Sequence, residues 1–500
     1  MSNIRYLKIN HEKYGYDVLA MFQSFYSDSS WQLVFPGCRE QVKVEAEQEG
    51  YFAEMVFHND NGDEKDPYDA DFPVDIFVRG EDYHYAGGEG KAFREGFGGW
   101  LYDILVQLTG KTLPWGTLNG VRPTKLAYQR LEQGLTREEI LNYYLTERKT
   151  SEKKANLAID IAEREKEILG KLHVKDGYSL YIGIPFCPTT CLYCSFTSYP
   201  IARFRNEVDR YLDCLIKELE YVSVQMKDKI LDTVYIGGGT PTTLEAVQLD
   251  RLLGTVEKLF DMSYVSEFTV EAGRSDSITR EKLEVLKAHN VGRISINPQT
   301  FNQETLDFIG RKASVAQLME VYPVARELGF ENINMDIILG LPGEDVPEVE
   351  KTMEMIKKLK PDSLTVHSLA IKRASKLAMW IQENGKSTLK NTDETMEIAA
   401  KAAEEMGLVP YYLYRQKNMS GNLENVGYSE PGKYGIYNIL IIEDIQTIVA
   451  CGAGTVSKRV FYEDDKLTHL ERCENVKEVP MYCDKIDEMI DRKKALFELN

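Results

Sequence analysis

The sequence contains no run of 18 apolar residues, so we expect no membrane-spanning helix. Its first residues, Met-Ser-Asn-Ile-Arg, lack the apolar core of a signal peptide. The excess of basic residues that a nucleic-acid-binding protein needs is also missing, because the formal net charge is −19. We therefore expect a cytoplasmic protein with no nucleic-acid partner and no membrane span. An anionic small substrate is compatible with this charge, because it needs only a local basic pocket.

Internal repeats and low-complexity tracts are absent, and the composition, 43% hydrophobic and 28% charged, is that of a globular protein. The first part of the chain has an α+β pattern. Residues 3–9 and 72–79 are predicted strands, residues 42–48 and 51–58 a predicted hairpin over Gly50, and residues 91–109 a predicted helix.

From residue 178 onward, short apolar runs alternate with amphipathic helical segments, which is typical of parallel βα units. The predicted strands are 179–184, 232–236, 267–271, 292–297, 332–338 and 363–367. The predicted helices between them are 205–226, 244–260, 279–289, 314–328 and 345–359. Near the end, residues 438–442 and 445–451 resemble strands and residues 475–497 a helix.

Six βα units predict an α/β fold built on a partial (βα)6 barrel, with an N-terminal α+β domain and a C-terminal extension. We expect four regions. They are an α+β domain of unknown role at 1–120, a helical connector at 121–172, the barrel at 173–400 and a substrate-covering region at 401–500. Active sites of parallel barrels lie at the carboxyl ends of the strands, where the residues considered next fall.

Three of the eight cysteines lie within eight residues, in Cys187-Pro-Thr-Thr-Cys191-Leu-Tyr-Cys194. In a reduced compartment this spacing indicates metal ligation before a disulfide. Three thiolates can hold an iron–sulfur cluster and leave one iron open, since a full protein cage uses four. The alternative is a zinc site completed by a distant Cys or His.

Two further motifs end predicted strands. Gly237-Gly-Gly-Thr-Pro-Thr242 would let a ligand approach the backbone, although a glycine triplet is also typical of a tight turn. Glu271 ends the run FTVE, where an unpaired buried carboxylate would be costly; a solvent-exposed strand end is the alternative.

The segment from Tyr181 to Cys194, YIGIPFCPTTCLYC, resembles the signature loop of radical S-adenosylmethionine (SAM) enzymes. More narrowly, it resembles the oxygen-independent coproporphyrinogen III oxidase family. The resemblance extends from about residue 178 to 370, with traces at 451–457, and the N-terminal extension and Tyr-rich tail are similar to those of the HemZ-type branch. It implies a [4Fe-4S] cluster on the three cysteines, and SAM bound at the open iron.

The resemblance also implies the residues that contact SAM. They are Tyr181, Gly238, Gly239, Thr240, Glu271, Gln299, Arg311, Asp336 and Ala370. Without the family, Arg311 would be interpreted as a surface residue.

The sequence departs from the family pattern at four places, two of which are residue pairs. Ala272-Gly273 stands where many relatives have Asn-Pro or Asp-Pro, and Asn297-Pro298 replaces Gly-Val. Gly183 occupies the position of a common His, and Phe196 that of a fourth Cys.

The implied reaction is oxidative decarboxylation of coproporphyrinogen III propionates to vinyl groups, giving protoporphyrinogen IX in anaerobic haem biosynthesis. It implies a tetrapyrrole partner and a reductant of the flavodoxin or ferredoxin type. Lys372, Arg373 and Arg415 are candidate propionate ligands, with a solvated basic face as the alternative. Competing interpretations are a haem-binding chaperone of the same family, a radical SAM enzyme acting on another tetrapyrrole such as haem, and a structural zinc protein.

Overall fold

The computed structural model describes residues 4–10, 12–26, 29–58, 73–87, 93–118, 120, 122–371, 375–384, 389–415, 423–464 and 466–499. Described residues up to Ile159 form one compact unit, and those from Asp160 onward form a second. None of the helices in these ranges is long and apolar enough to cross a membrane.

The first unit contains one five-stranded sheet in the order β2-β1-β3-β4-β5, in which β1 runs parallel to β2 and β3 and the other pairs are antiparallel. Its strands are β1 Ile4–Ile9, β2 Ser30–Val34, β3 Tyr51–Phe57, β4 Val74–Val78 and β5 Glu81–Tyr85. The helices are α1 Glu12–Phe25, α2 Glu40–Glu49, α3 Phe93–Thr109, α4 Thr124–Glu132 and α5 Arg137–Thr146; α6 Glu152–Leu169 includes the division between the units.

The hairpin expected over Gly50 is wrong, because residues 40–49 form α2 and only its second half is a strand. Val42 and Ala46 are four residues apart, so a helix places both on one face, packed with Tyr6 and Val34. Val44, which a strand would have placed beside them, is 46% exposed.

The second unit is built on an eleven-stranded sheet in the order β14-β15-β13-β12-β11-β10-β9-β6-β16-β17-β18. Its strands are β6 Gly177–Ile184, β9 Ile230–Gly238, β10 Glu267–Gly273, β11 Arg293–Ile296, β12 Ile333–Leu339, β13 Ser363–Ser368, β14 Val409–Tyr414, β15 Asn425–Ser429, β16 Thr447–Cys451, β17 Val456–Glu463 and β18 Lys466–Glu474. The short strands β7 Phe186–Cys187 and β8 Tyr199–Pro200 pair separately.

The helices of this unit are α7 Val208–Gln225, α8 Ala246–Leu259, α9 Arg280–Ala288, α10 Gln303–Phe308, α11 Val315–Glu327, α12 Val346–Leu359, α13 Lys376–Asn384, α14 Asp393–Glu405, α15 Ile436–Glu443, α16 Val479–Asp484 and α17 Ile486–Glu498. Their starts follow local chemistry: Ser314 with Gln317, and Asp345 with Glu348, form capping boxes. The prediction of a strand at 438–442 is wrong, because this apolar run is part of α15.

Six strands of this sheet, β6 and β9 to β13, lie side by side in chain order and run parallel to one another. They are the six predicted strands, and α7, α8, α9, α11 and α12 lie between them as predicted, so the α/β class is confirmed. The C-terminal residues extend this sheet at both ends, since β15 pairs with β13 and β16 pairs with β6. All six carboxyl ends therefore lie at one edge.

Candidate active site

The cysteine loop begins at the carboxyl end of β6 and is tied to its neighbours by backbone bonds. Leu192 N donates to the carbonyl of Ile309 at 2.9 Å, and Thr240 N donates to that of Phe186 at 2.7 Å. The Thr189 hydroxyl donates to the Gly310 carbonyl at 2.8 Å. The loop is therefore held by the segments that follow β9 and α10.

Two of the three thiols of this loop, those of Cys187 and Cys194, have a perturbed pKa. Burial raises the pKa of Cys187 to about 11, with Cys194 and Cys191 contributing in the same direction. Burial also raises the pKa of the Cys194 thiol. The Cys187 Sγ lies 3.4 Å from the Thr240 hydroxyl, and the Cys194 Sγ lies 3.7 Å from the Ser198 hydroxyl.

The glycine turn after β9 is a cradle without side chains. A Cβ atom on Gly239 would lie 2.5 Å from the Phe186 carbonyl oxygen, and one on Gly237 would lie 2.9 Å from a Glu271 carboxylate oxygen. Gly238 has φ +107°, which strains any side-chain-bearing residue. Glycine is therefore required at these positions, because neighbouring protein atoms leave no room for a Cβ.

Glu271 lies near the end of β10, half-buried inside the row of strands. It accepts a hydrogen bond from the Tyr235 hydroxyl at 2.6 Å. Burial raises the pKa of Glu271 to about 7, although the Tyr235 bond opposes this shift. Tyr181 stacks on Tyr235 and on Tyr437, with ring centroids 6.0 and 5.8 Å apart. Three aromatic rings therefore form one wall beside this carboxyl group.

Gln299 joins the ends of β11 and β12 in an unusual backbone conformation. Its φ is +67°, and its N–H and carbonyl bond the Asp336 carbonyl and the Ile338 N–H, each at 2.9 Å. The Gln299 Oε1 is buried and has no hydrogen-bond partner in the described part of the protein. A strained residue with a buried free acceptor is typical of a ligand site.

Arg311 follows α10 and is buried, at 5% exposure, rather than on the surface. Its Nη2 donates to the carbonyls of Gly273, at 2.9 Å, and of Asn297. These carbonyls end β10 and β11, so the guanidinium crosses the carboxyl ends of two strands. It also lies near enough to Cys194 to lower the pKa of that thiol against the effect of burial.

Asp336 lies on β12 and is the second carboxylate at this edge. Asn334 Nδ2 donates to its Oδ1 at 2.7 Å, and His367 Nε2 lies 3.9 Å from its Oδ2. Burial acts to raise the pKa of Asp336, but His367 and Asn334 hold it below its usual value. Asp336 is therefore ionised at neutral pH, whereas Glu271 is partly protonated.

Two further predicted residues, Ala370 and Arg415, follow β13 and β14. Ala370 follows β13 by two residues and is half-buried. Arg415 follows β14 and is 4% exposed; burial lowers its pKa to about 10, so it is still charged at neutral pH. Lys372 and Arg373 lie outside the described residues.

The donor set fits an iron–sulfur cluster with SAM better than a single metal ion. Within the described ranges, no three His, Cys, Asp or Glu side chains converge on one ion position. Three cysteines of a cluster ligate different irons, so their sulfur atoms need not converge. The free Gln299 acceptor and the carboxylates of Glu271 and Asp336 are polar groups of the kind that bind an amino acid and a ribose.

Sequence reasoning missed three residues of this site. Tyr235 lies two residues before the glycine turn, and His367 lies near the end of β13, so the strand-end rule that singled out Glu271 could have found both. Arg274 follows β10 immediately and contacts the cysteine loop: its Nη1 lies 2.9 Å from the Thr189 carbonyl oxygen and 4.0 Å from the Cys191 Sγ. Only the fold brings these residues together.

Residues 181–356 match the family model of the Radical SAM superfamily. The chain is 42% identical over 400 residues to the oxygen-independent coproporphyrinogen-III oxidase-like protein HemZ of Bacillus subtilis, a match covering 79% of each protein. It is 38% identical over 194 residues to the heme chaperone HemW of the same organism, covering 39% of this chain and 50% of that one.

Among solved structures, coproporphyrinogen III oxidase (HemN) from Escherichia coli is similar, with a TM-score of 0.50 and 21% identity over 65% of this chain and 73% of that chain. The chain is thus a radical SAM protein, of the superfamily that uses a [4Fe-4S] cluster and SAM. Within that superfamily it belongs to the oxygen-independent coproporphyrinogen III oxidase family, in the HemZ-type branch.

Proposed function

We propose that the protein catalyses the oxidative decarboxylation of coproporphyrinogen III propionates to vinyl groups, forming protoporphyrinogen IX. The observation that carries this proposal is the 42% identity to HemZ over 79% of both chains. The cysteine loop and the Glu271 and Asp336 carboxylates at the carboxyl ends of the strands support it. The proposal extends beyond the printed description of that relative, which calls it oxidase-like.

In this proposal Cys187, Cys191 and Cys194 hold the cluster. Burial keeps the Cys187 and Cys194 thiols protonated at neutral pH, so loading the cluster releases protons. The hydroxyls of Thr240 and Ser198 are placed to donate to two of the sulfur atoms once these are thiolates.

The same proposal assigns SAM binding to the residues around the glycine turn. Tyr181 and the bare backbone of Gly238, Gly239 and Thr240 would bind the methionine part, with the Glu271 carboxylate receiving its amino group. Arg311 would attract the carboxylate of SAM, and the ionised Asp336 would accept hydrogen bonds from the ribose hydroxyls. Gln299 and Ala370 would complete the wall of the site.

When cluster and SAM are bound and reduced, they supply the abstraction of one hydrogen atom from a propionate carbon of the substrate. Loss of CO₂ and one electron then leaves a vinyl group, and the electron passes to an acceptor. The chain's own contribution is to orient the propionate and exclude water. We assign propionate binding to Lys372, Arg373 and the charged Arg415.

The deciding experiment is an anaerobic assay with a chemical reductant, SAM and coproporphyrinogen III. We expect products that have lost one and then two CO₂, together with 5′-deoxyadenosine. Cys191→Ala should abolish both, whereas Cys38→Ala, a change at a cysteine outside the loop, should leave both unchanged. Cleavage of SAM without any decarboxylated tetrapyrrole would refute the substrate assignment and retain the radical SAM class.

The propionate assignment has its own test. Arg373→Glu should weaken tetrapyrrole binding about tenfold or more, because it replaces an attraction with a repulsion. Cleavage of SAM in the absence of the tetrapyrrole should not change. Equal tetrapyrrole affinity in the variant and the wild type would show that Arg373 is not a propionate ligand.

A haem chaperone is the second candidate, favoured by the 38% identity to HemW over 194 residues and by Phe196, which replaces the fourth cysteine of the oxidases. A chaperone would purify with haem and transfer it to an acceptor protein. Haem content and the visible spectrum of the anaerobically purified protein distinguish the two candidates. Stoichiometric haem with no decarboxylated product would favour the chaperone.

A further inference from the structure

The outer side of the cysteine loop carries an exposed aromatic ring. Phe196 lies two residues after Cys194 and is 75% exposed, the most exposed large apolar side chain of the described residues. Ser198, two residues further, contacts the Cys194 Sγ at 3.7 Å. Only one residue separates Phe196 from the proposed cluster ligand Cys194 along the chain.

The segment after Phe196 is anchored rather than loose. Strand β8 pairs with β7, placing Pro200 opposite Cys187. Phe204 packs against Tyr199 and Phe186, with ring centroids 5.2 and 6.2 Å away. The residues on either side of Phe204 are consequently displayed at fixed positions next to the loop.

Those two residues are both cations. Arg203 and Arg205 are exposed, and in the described part of the chain neither forms an ion pair. No Asp or Glu occurs from residue 177 to 206, in a chain that has 79 acidic residues in all. A third exposed cation, Lys312, follows the segment whose Ile309 carbonyl binds the loop. The loop segment thus carries cations and no carboxylate on an acidic protein, and the next carboxylate along the chain, Glu207, is paired with Arg210.

We infer that Phe196, Arg203 and Arg205, the cluster-loop surface, form the docking site for an acidic one-electron carrier protein. The inference rests on the proposed function, because only a cluster that must be reduced needs such a partner. One electron passes from the carrier to the cluster, so the carrier is oxidised by one electron, the cluster is reduced by one, and no bond changes.

Charge complementarity with Arg203 and Arg205 indicates that the partner bound at this surface is acidic. A net charge of −19 repels an acidic protein, so productive encounter needs a local positive surface at the point of electron entry. An exposed aromatic ring flanked by arginines is also the composition of an interface hot spot. A second copy of this chain is disfavoured, since a two-fold contact would place these arginines near their own copies.

The test uses the full-length, cluster-loaded protein and a reduced acidic flavodoxin as the probe. Bleaching of the cluster absorbance by stopped flow measures the rate of electron transfer. Arg203→Glu/Arg205→Glu should slow reduction by flavodoxin about tenfold or more at low ionic strength. The difference should shrink as salt is added, because screening removes the steering term. Phe196→Ser should slow reduction at every salt concentration.

Two controls make the result specific. Lys351→Glu/Lys358→Glu produces the same change in net charge on α12, which leads back to the amino end of β13 and away from the loop. It should slow reduction by less than about twofold. Reduced methyl viologen, a small cation that needs no docking surface, should reduce every variant at least as fast as the wild type.

The outcomes distinguish failure of the proposed function from failure of the docking inference. If the wild type assembles no cluster, or if neither reductant bleaches it, the proposed function fails. If viologen reduces all variants but flavodoxin shows no preference for the wild type, the docking inference fails. If viologen also slows, the milder Arg203→Gln/Arg205→Gln pair replaces the reversal, and unchanged flavodoxin kinetics in that pair would overturn the inference. A change of oligomeric state in the variants would assign the surface to self-association instead.

Discussion

Glu271 makes the pH dependence of stability a direct test of the site. Its pKa is about 7 in the folded protein and about 4.5 in the unfolded chain, so between these values the folded state binds more protons. The free energy of unfolding should therefore fall as pH rises from about 4.5 to about 7, by roughly 3 kcal/mol relative to Glu271→Gln, and then level off. Urea unfolding of the cluster-free protein at several pH values measures this difference.

Glu281→Gln provides the control for this titration, because Glu281 is a solvent-exposed carboxylate on the neighbouring helix α9. It should leave the pH profile of the wild type unchanged. A Glu271→Gln profile parallel to that of the wild type would show that Glu271 ionises normally and is not shielded from water.

Arg274 provides a residue-scale prediction about the cluster. The guanidinium is 3% exposed; its Nε and Nη2 bind Asp276 at 2.9 and 2.7 Å, and its Nη1 points to the cysteine loop. Net charge and hydrogen bonds near the sulfur atoms set a cluster's reduction potential. Arg274→Gln should therefore lower the potential, and Asp276→Asn should raise it, in a redox titration followed by electron paramagnetic resonance.

The two variants should shift the reduction potential in opposite directions. If the substitutions only loosened the loop, the sign of the shift would not depend on which charge was removed. A tenfold change in the ratio of reduced to oxidised cluster corresponds to about 59 mV for one electron. Arg280→Gln, an exposed arginine on α9, should leave the potential unchanged. Shifts of the same sign for Arg274→Gln and Asp276→Asn would contradict an electrostatic role.

The residues that could be predicted from the sequence are those whose chemistry is local. Cys187, Cys191 and Cys194 lie within one loop. Glu271 and Asp336 lie near the ends of strands that their apolar runs predict. Arg274, His367 and the burial of Arg311 depend on contacts between segments far apart in the chain, so no local pattern reveals them. The family resemblance, rather than spacing, indicated that Arg311 points inward.

At the scale of elements, the turn after β9 is a sharp test of close packing. Gly239→Ala places a Cβ 2.5 Å from the Phe186 carbonyl oxygen, and backbone cannot move aside cheaply. We expect a loss of roughly 2 kcal/mol or more in the free energy of unfolding, together with weaker SAM binding by calorimetry.

Gly254→Ala is the matched control for Gly239→Ala. Gly254 lies inside α8, and the atom nearest to its added Cβ is a His289 ring carbon at 3.6 Å. This variant should be neutral or stabilised by up to about 1 kcal/mol, because alanine favours the helix. A Gly239→Ala protein as stable as Gly254→Ala would show that the turn is looser than described.

Elements of the barrel could be predicted because each strand is a short apolar run next to amphipathic helices. The errors, at residues 42–48 and 438–442, share one cause: short apolar segments fit both periods, and only tertiary packing decides between them. In α15, Ile439 and Leu440 are buried while Ile441 is 39% exposed, which is a helical rather than an alternating pattern. The neighbouring run at 445–451 is a strand because it lies beside β6.

At the scale of the whole second unit, the C-terminal residues are part of the same sheet as the cysteine loop. Strand β16 pairs in parallel with β6 over five residues, and the Gly452 N–H that follows it donates to Glu218 on α7 at 2.7 Å. Tyr211, also on α7, donates to the Gly183 carbonyl at 2.6 Å, four residues before Cys187. The order of the loop therefore depends on residues almost at the end of the chain.

Lys493 on α17 is the buried cation that completes this arrangement. It is fully buried and donates to Glu218 Oε1 at 2.6 Å and to Asn475 Oδ1 at 2.8 Å, while the Tyr482 hydroxyl occupies Glu218 Oε2 at 2.6 Å. Removing one partner of a buried ion pair leaves an uncompensated charge, so Lys493→Met should cost about 3–5 kcal/mol in the free energy of unfolding. Because Glu218 also binds the backbone after β16, the iron content of the anaerobically purified variant should fall as well.

A second substitution separates loss of the charge from loss of packing. Lys493→Met/Glu218→Gln keeps an acceptor for Tyr482 and Gly452 but no buried charge, so it should be more stable than Lys493→Met alone and should regain iron. Lys494→Met, at an exposed neighbouring position, should change stability by less than about 0.5 kcal/mol. If the double variant is no more stable than the single one, the buried pair is not the link between the C-terminal helix and the cysteine loop, and the packing of α17 itself must provide that link.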